Sequence, residues 1–95
     1  MNDDFLLHII KRLTIDDISI LGYLADNNAT AQFRAMRKKM LNDELNISEA
    51  NLRKTLYRLD ALNFIETVSG VKEHKVYVTE FGLFAIEKSL EGELG

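Results

Sequence analysis

Five polar side chains between residues 51 and 58 carry the most legible chemistry in this chain. Asn51, Arg53, Lys54, Tyr57 and Arg58 interleave with Leu52, Leu56 and Leu59, and Leu62 extends the leucine row. The leucines recur at helical spacing, so a helix over 48–62 would bury them along one side. The polar residues then fall mostly on the other side. Arginine can form paired hydrogen bonds with guanine O6 and N7, and asparagine with adenine N6 and N7. Ser48 has the side chain of an N-cap, able to accept the otherwise unpaired amide of Asn51. A helix clamped by leucines and presenting Ser, Asn, Arg and Lys has the chemistry to enter a DNA major groove.

The rest of the chain must position that helix, and it is short. Ninety-five residues, 46% of them hydrophobic, fit one domain over 1–95 with a single small core. Cysteine is absent, which excludes disulfides, thiolate catalysis and cysteine-bound metal. The opening MNDDFLLHIIKRL places acids before its short apolar run, the reverse of a secretory signal. No run approaches the ~18 apolar residues of a membrane span. A soluble, cytoplasmic protein with no membrane partner is expected. The sequence holds no glycine-rich phosphate loop, nucleophile elbow or histidine–carboxylate metal motif. His8 has no second histidine or cysteine at helical spacing, and the Asp3-Asp4 and Asp16-Asp17 pairs sit where helix starts explain them. Neither an enzyme nor a cofactor is expected.

The net charge is −3, but its distribution matters more than its sum. From Arg34 to Lys75 there are nine Lys/Arg against six Asp/Glu; elsewhere there are three against nine. Positive charge is concentrated in the middle and the ends are acidic. Ordinary surface charge with no partner would give the same count.

The pattern predicts a mainly α chain with a small β-hairpin, in the order α-α-α-α-β-β-α. Phe5, Leu6, Ile9, Ile10 and Leu13 give a first helix from about Asp3. Thr14, with Asp16 and Asp17 behind it, caps a second that runs to Asp26. Gly22 inside it suggests a close helix contact. Thr30 is expected to cap a third helix over 31–41, with Phe33, Met36 and Met40 inward and Arg34, Arg37, Lys38 and Lys39 outward. A polar turn over 42–46, anchored by Leu45, leads to the 48–62 helix. Asn63 then occupies a C′ position where a left-handed backbone is wanted. Residues 64–68 and 76–79 read as strands around a basic tip containing Lys72, His74 and Lys75. Thr79-Glu80 opens a last helix, with Phe81, Phe84, Ala85 and Ile86, to about Leu90. A two-residue strand has room near Ala29. Tyr23, Phe33, Tyr77 and Phe84 are expected in the core.

This arrangement resembles the winged helix-turn-helix family, particularly small regulators of the MarR, ArsR and PadR type. The resemblance covers about 15–90. Ile47-Ser48 with Leu52, Leu56 and Leu59 is similar to the family's recognition-helix frame. Leu62-Asn63-Phe64-Ile65 is similar to the step into the wing, with Asn63 replacing the usual glycine. Val76-Tyr77-Val78-Thr79-Glu80-Phe81-Gly82 looks like the wing exit, with Phe81 where Lys or Arg is common. The resemblance implies a transcriptional regulator that binds double-stranded DNA, with helix 48–62 in the major groove and wing 64–79 on backbone or minor groove. Ser48, Glu49, Asn51, Arg53, Lys54, Tyr57 and Arg58 would meet the groove and its phosphates. Glu49 could accept from cytosine N4, although phosphates would repel it. Lys72, His74 and Lys75 would lie on backbone or minor groove. Arg34, Arg37 and Lys38 would set register on the backbone without reading sequence. No effector ligand is named by the sequence.

Two alternatives stay open. A winged helix can serve as a protein–protein module without DNA, and Glu49 and the overall acidity suit that use. The basic wing and the Arg53-Lys54 pair oppose it. Separately, Phe5, Leu6, Ile9, Ile10 and Leu13 at one end and Phe84 and Leu90 at the other supply ample apolar surface. The helices at 3–13 and 80–90 are expected to pair two copies into a homodimer, with recognition helices ~34 Å apart, one duplex turn. Packing of those two helices within one chain would use the same surface.

Overall fold

Thr14 starts the helix that organises the domain. Its hydroxyl accepts from the Asp17 amide at 3.1 Å, and its own amide donates to Asp17 Oδ2 at 2.8 Å, completing a capping box. The computed structural model describes residues 3–69 and 74–94, with side chains over 6–69 and 74–90. The elements are α1 (Asp3–Ile10), α2 (Ile15–Asp26), a 3₁₀ turn (Gln32–Arg34), β1 (Met36–Arg37), α3 (Lys38–Leu45), α4 (Glu49–Ala61), β2 (Ile65–Ser69), β3 (His74–Val78) and α5 (Glu80–Leu94). The sheet is antiparallel in the order β1-β3-β2. Ile20, Leu21 and Leu24 of α2, Leu41 of α3, Leu59 of α4 and Ile65, Val76 and Val78 of the sheet form one fully buried cluster. The helices cover one face of the sheet. This is the winged helix-turn-helix architecture expected from the sequence.

The main departure lies between Ala31 and Leu41. No helix begins at Ala31, which is extended (φ −152°, ψ 162°). Ala29 accepts from the Val78 amide at 2.8 Å, and Met36 and Arg37 pair with Val76 and Lys75. Sheet pairing overrides the helical pattern until Lys38. Arg34, Arg37 and Lys38 therefore sit on a 3₁₀ turn, a strand and a helix start, not on one helical face. Phe33 is 83% exposed rather than in the core, and Met40 is also exposed. Residues 42–45, expected as a turn, continue α3, and the turn is confined to 46–48. The hairpin strands reach His74 and Ser69, so the wing connection is shorter than the sequence pattern suggested.

Asparagine serves at every positive-φ position of the described residues: Asn28 (56°), Asn46 (54°) and Asn63 (64°). Asn tolerates the left-handed region through local side-chain hydrogen bonding. Asn63 ends the α4 region as expected.

The terminal helices pack on each other within the chain. Leu6 and Ile10 are buried in this core, and Ile9 and Leu13 lie partly against it. Leu6 and Ile10 are therefore corrected from interface to core residues. Phe84 and Leu90 are exposed, as is Leu7, and Phe84 is thereby removed from the expected core. The Phe5 side chain lies outside the described residues.

Two glycines make opposite predictions. A Cβ on Gly82 would stand 2.2 Å from the Phe64 carbonyl oxygen and 2.6 Å from Val78 Cγ2. The Thr79 hydroxyl locks that approach, donating to the Asn63 carbonyl at 2.6 Å and accepting from the Gly82 amide at 3.1 Å. Gly82→Ala should thus destabilise by about 3 kcal/mol, because backbone must move. Gly22 instead faces open space, with nothing within 4 Å, contrary to the close contact expected there. Gly22→Ala should stabilise by about 1 kcal/mol through helix propensity. Urea unfolding of the two variants checks both signs.

Candidate nucleic-acid interface

The helix-turn-helix is formed by α3, the turn at Asn46-Ile47-Ser48, and α4. Asn46 turns the chain in the left-handed region, Ile47 is buried as the turn's anchor, and Asn42 Nδ2 donates to the Ile47 carbonyl. Ser48 then caps α4, accepting from the Asn51 amide at 3.2 Å. Leu52, Thr55, Leu56 and Leu59 face inward. The opposite face presents Glu49, Asn51, Arg53, Lys54 and Tyr57, all exposed, with Tyr57 at 80%. The leucine row therefore orients the polar set as the sequence implied.

Arg58 departs from that set. Its Nη2 donates to Asp17 Oδ1 and approaches Thr14 Oγ1 at 3.4 Å. Asp17 is 1% exposed, so Arg58 ties α4 to the capped start of α2 rather than aiming at a groove. No sequence period links residues 17 and 58, which is why spacing could not reveal the pair.

Flanking α4 are two further basic edges. The first turn of α3 holds Lys38 and Lys39, with no acid there and no side-chain cap from Arg37. Helix N-terminal amides with two lysines beside them suit phosphate. Lys38, Lys39, Glu49 and Arg53 border one cleft between α3 and α4. Lys39 belongs with the candidate residues: the sequence pattern places it only on the outward face of a 31–41 helix, whereas α3, starting at Lys38, holds it in the first turn beside Lys38. The second edge is the sheet, where Arg37 of β1 lies directly across from Lys75 of β3. His74 is exposed opposite Ser69 near the wing tip. Arg34 is exposed, its guanidinium 5.5 Å from the Phe33 ring centroid. Lys72 lies outside the described residues.

The fold and this disposition define a winged helix-turn-helix protein. No family model matches the chain. It is 48% identical over 87 residues to the DNA-binding protein TubR of Priestia megaterium, covering 92% of this chain and 86% of that one. The chain belongs to the TubR family. The structure of TubR from Bacillus megaterium pBM400 superimposes with a TM-score of 0.88 over 92% of this chain and 97% of that one, also at 48% identity. Lactococcus lactis ZitR, solved as a cysteine-to-serine mutant, gives 0.69 at 19% identity, over 84% of this chain and 52% of its own. The PcaV transcriptional regulator of Streptomyces coelicolor gives 0.70 at 11%, over 87% and 58%. The last two share the fold.

Proposed function

We propose that this protein binds double-stranded DNA as a non-enzymatic regulator of transcription, with α4 in the major groove and the wing on adjacent backbone or minor groove. The observation that carries this reading is the exposed face of α4. Asn51, Arg53, Lys54 and Tyr57 lie together there, flanked by Lys38 and Lys39 on one side. Arg37 and Lys75 of the sheet add a further basic edge. The relative at 48% identity, described as a DNA-binding protein, supports it. Regulation follows from occupancy: a bound helix-turn-helix covers a stretch of duplex and excludes or recruits other machinery. The finer likeness to MarR, ArsR and PadR regulators rests on the motif resemblance. Among the described residues no helix is long and apolar enough to cross a membrane, and the proposed workplace is the cytoplasm.

The direct test is binding to a random duplex as salt rises. If about four phosphates are neutralised per complex, affinity should fall about a hundredfold between 50 and 200 mM salt. No binding at 50 mM would overturn the proposal in favour of a protein-binding module.

We further propose that the protein acts as a homodimer. Leu7, Phe84 and Leu90 remain exposed after α1 and α5 have packed together, leaving apolar surface on the terminal helices. Two-fold pairing would present two recognition helices to one duplex. Light scattering at micromolar concentration should give twice the 10.9 kDa chain mass. A species at the chain mass would refute the dimer.

A further inference from the structure

Phe33 is the most exposed large apolar side chain of the described residues, at 83%. It borders a shallow cleft with Gln32, Val68 and Lys75. Strand register fixes the face involved. Met36, Val76 and Thr67 occupy one row, with Val76 fully buried. Side chains alternate along a strand, so the next row, Arg37, Lys75 and Val68, points away from the core. Phe33 thus stands at the outer face of the sheet, with Arg34 over its ring and Arg37 and Lys75 on neighbouring strands. Among the described residues, the acid nearest in register on that face is Glu66, opposite Tyr77.

An aromatic ring ringed by cations suits a partner that is polyanionic and also offers apolar surface. Duplex DNA has both, in its phosphates and in the sugar and base edges of the minor groove. The patch is also continuous with the helix-turn-helix. Arg37 is the N-cap residue of α3, and Lys38 begins that helix. A duplex engaged by α3 and α4 therefore runs beside this sheet edge.

We propose that Phe33 is a DNA-contacting residue outside the recognition helix, packing its ring into the minor groove beside the wing while Arg34, Arg37 and Lys75 hold the bordering phosphates. Apolar side chains are used in this way by minor-groove proteins. The inference rests on the DNA-binding reading above.

The test compares the full-length wild type, Phe33→Ala, Phe33→Trp and Arg37→Ala on a random ~30-base-pair duplex from 50 to 200 mM salt. Phe33→Ala should bind about tenfold more weakly at every salt concentration, with an unchanged salt slope, because a phenyl ring releases no counterions. Arg37→Ala should instead reduce the slope by about one. The emission of Phe33→Trp should shift to the blue when duplex is added. Because Phe33 is exposed, unfolding of Phe33→Ala should match wild type, which separates lost contact from lost fold. Wild-type affinity in Phe33→Ala, or unshifted emission in a Phe33→Trp protein that binds, would overturn the proposal. A wild type that fails to bind at 50 mM would sink the DNA reading and this one together.

Discussion

Replacing Arg53 and Lys54 together by alanine is expected to weaken duplex binding at least a hundredfold without changing the unfolding midpoint. Both side chains are exposed on α4, while the helix is held by Leu52, Leu56 and Leu59 on its other face. Alanine is a better helix former than either, so the helix itself loses nothing. The binding loss has two parts. A well-placed arginine pair on a guanine edge discriminates by about 1–3 kcal/mol. A phosphate contact contributes through counterion release and appears in the salt slope. Single variants separate the two parts. A base-reading side chain relaxes the selected sequence at one position, whereas a phosphate contact weakens all sequences alike. Selection of bound duplexes from a random pool reads both, and the number of half-sites in the enriched motif reports symmetry. Unaltered binding by the double variant would remove α4 from the interface.

Glu49 is exposed on the same face. It lies in the first turn of α4, where a carboxylate favours the helix dipole, and it borders the cleft with Lys38, Lys39 and Arg53. An acidic residue can sit on this face because it serves the helix start, and Lys38, Lys39 and Arg53 outnumber Glu49 and Asp43 around the cleft.

What the sequence revealed was local, and what it concealed was tertiary. The leucine row of α4, the Ser48 cap and the Thr14 cap depend on residues at most a few positions apart, so spacing exposed them. Asn63 was legible because its side chain is suited to the backbone conformation the C′ position needs. The stretch from Ala31 to Leu41 was misread for the opposite reason. Its apolar residues carry a helical period, but Met36 and Arg37 are claimed by Val76 and Lys75, 40 and 38 positions away. That pairing moved the helix start to Lys38, added Lys39 to the candidate interface and turned Phe33 out to solvent. The Arg58–Asp17 tie was hidden in the same way, since neither local charge pattern announces the other.

That tie sets the second large effect. Arg58→Ala is expected to destabilise the protein by about 2–3 kcal/mol, read as a lower urea midpoint. Removing one partner of a buried pair leaves the other charge uncompensated, at about 3–5 kcal/mol when both are buried. Here Asp17 is 1% exposed but the Arg58 side chain is 42% exposed, so solvent screens part of the interaction. The burial difference also predicts an asymmetry. Asp17→Asn leaves Arg58 able to reach water, and the amide oxygen can still accept from the Thr14 amide. Its penalty should therefore be smaller than that of Arg58→Ala. Salt dependence then decides which role Arg58 plays in binding. A phosphate-contacting arginine would lower the salt slope by about one when removed. An arginine spent on Asp17 leaves the slope unchanged, and any loss of affinity follows the displaced α4 instead. An unchanged slope with reduced stability is the expected outcome, and a reduced slope at full stability would return Arg58 to the DNA face.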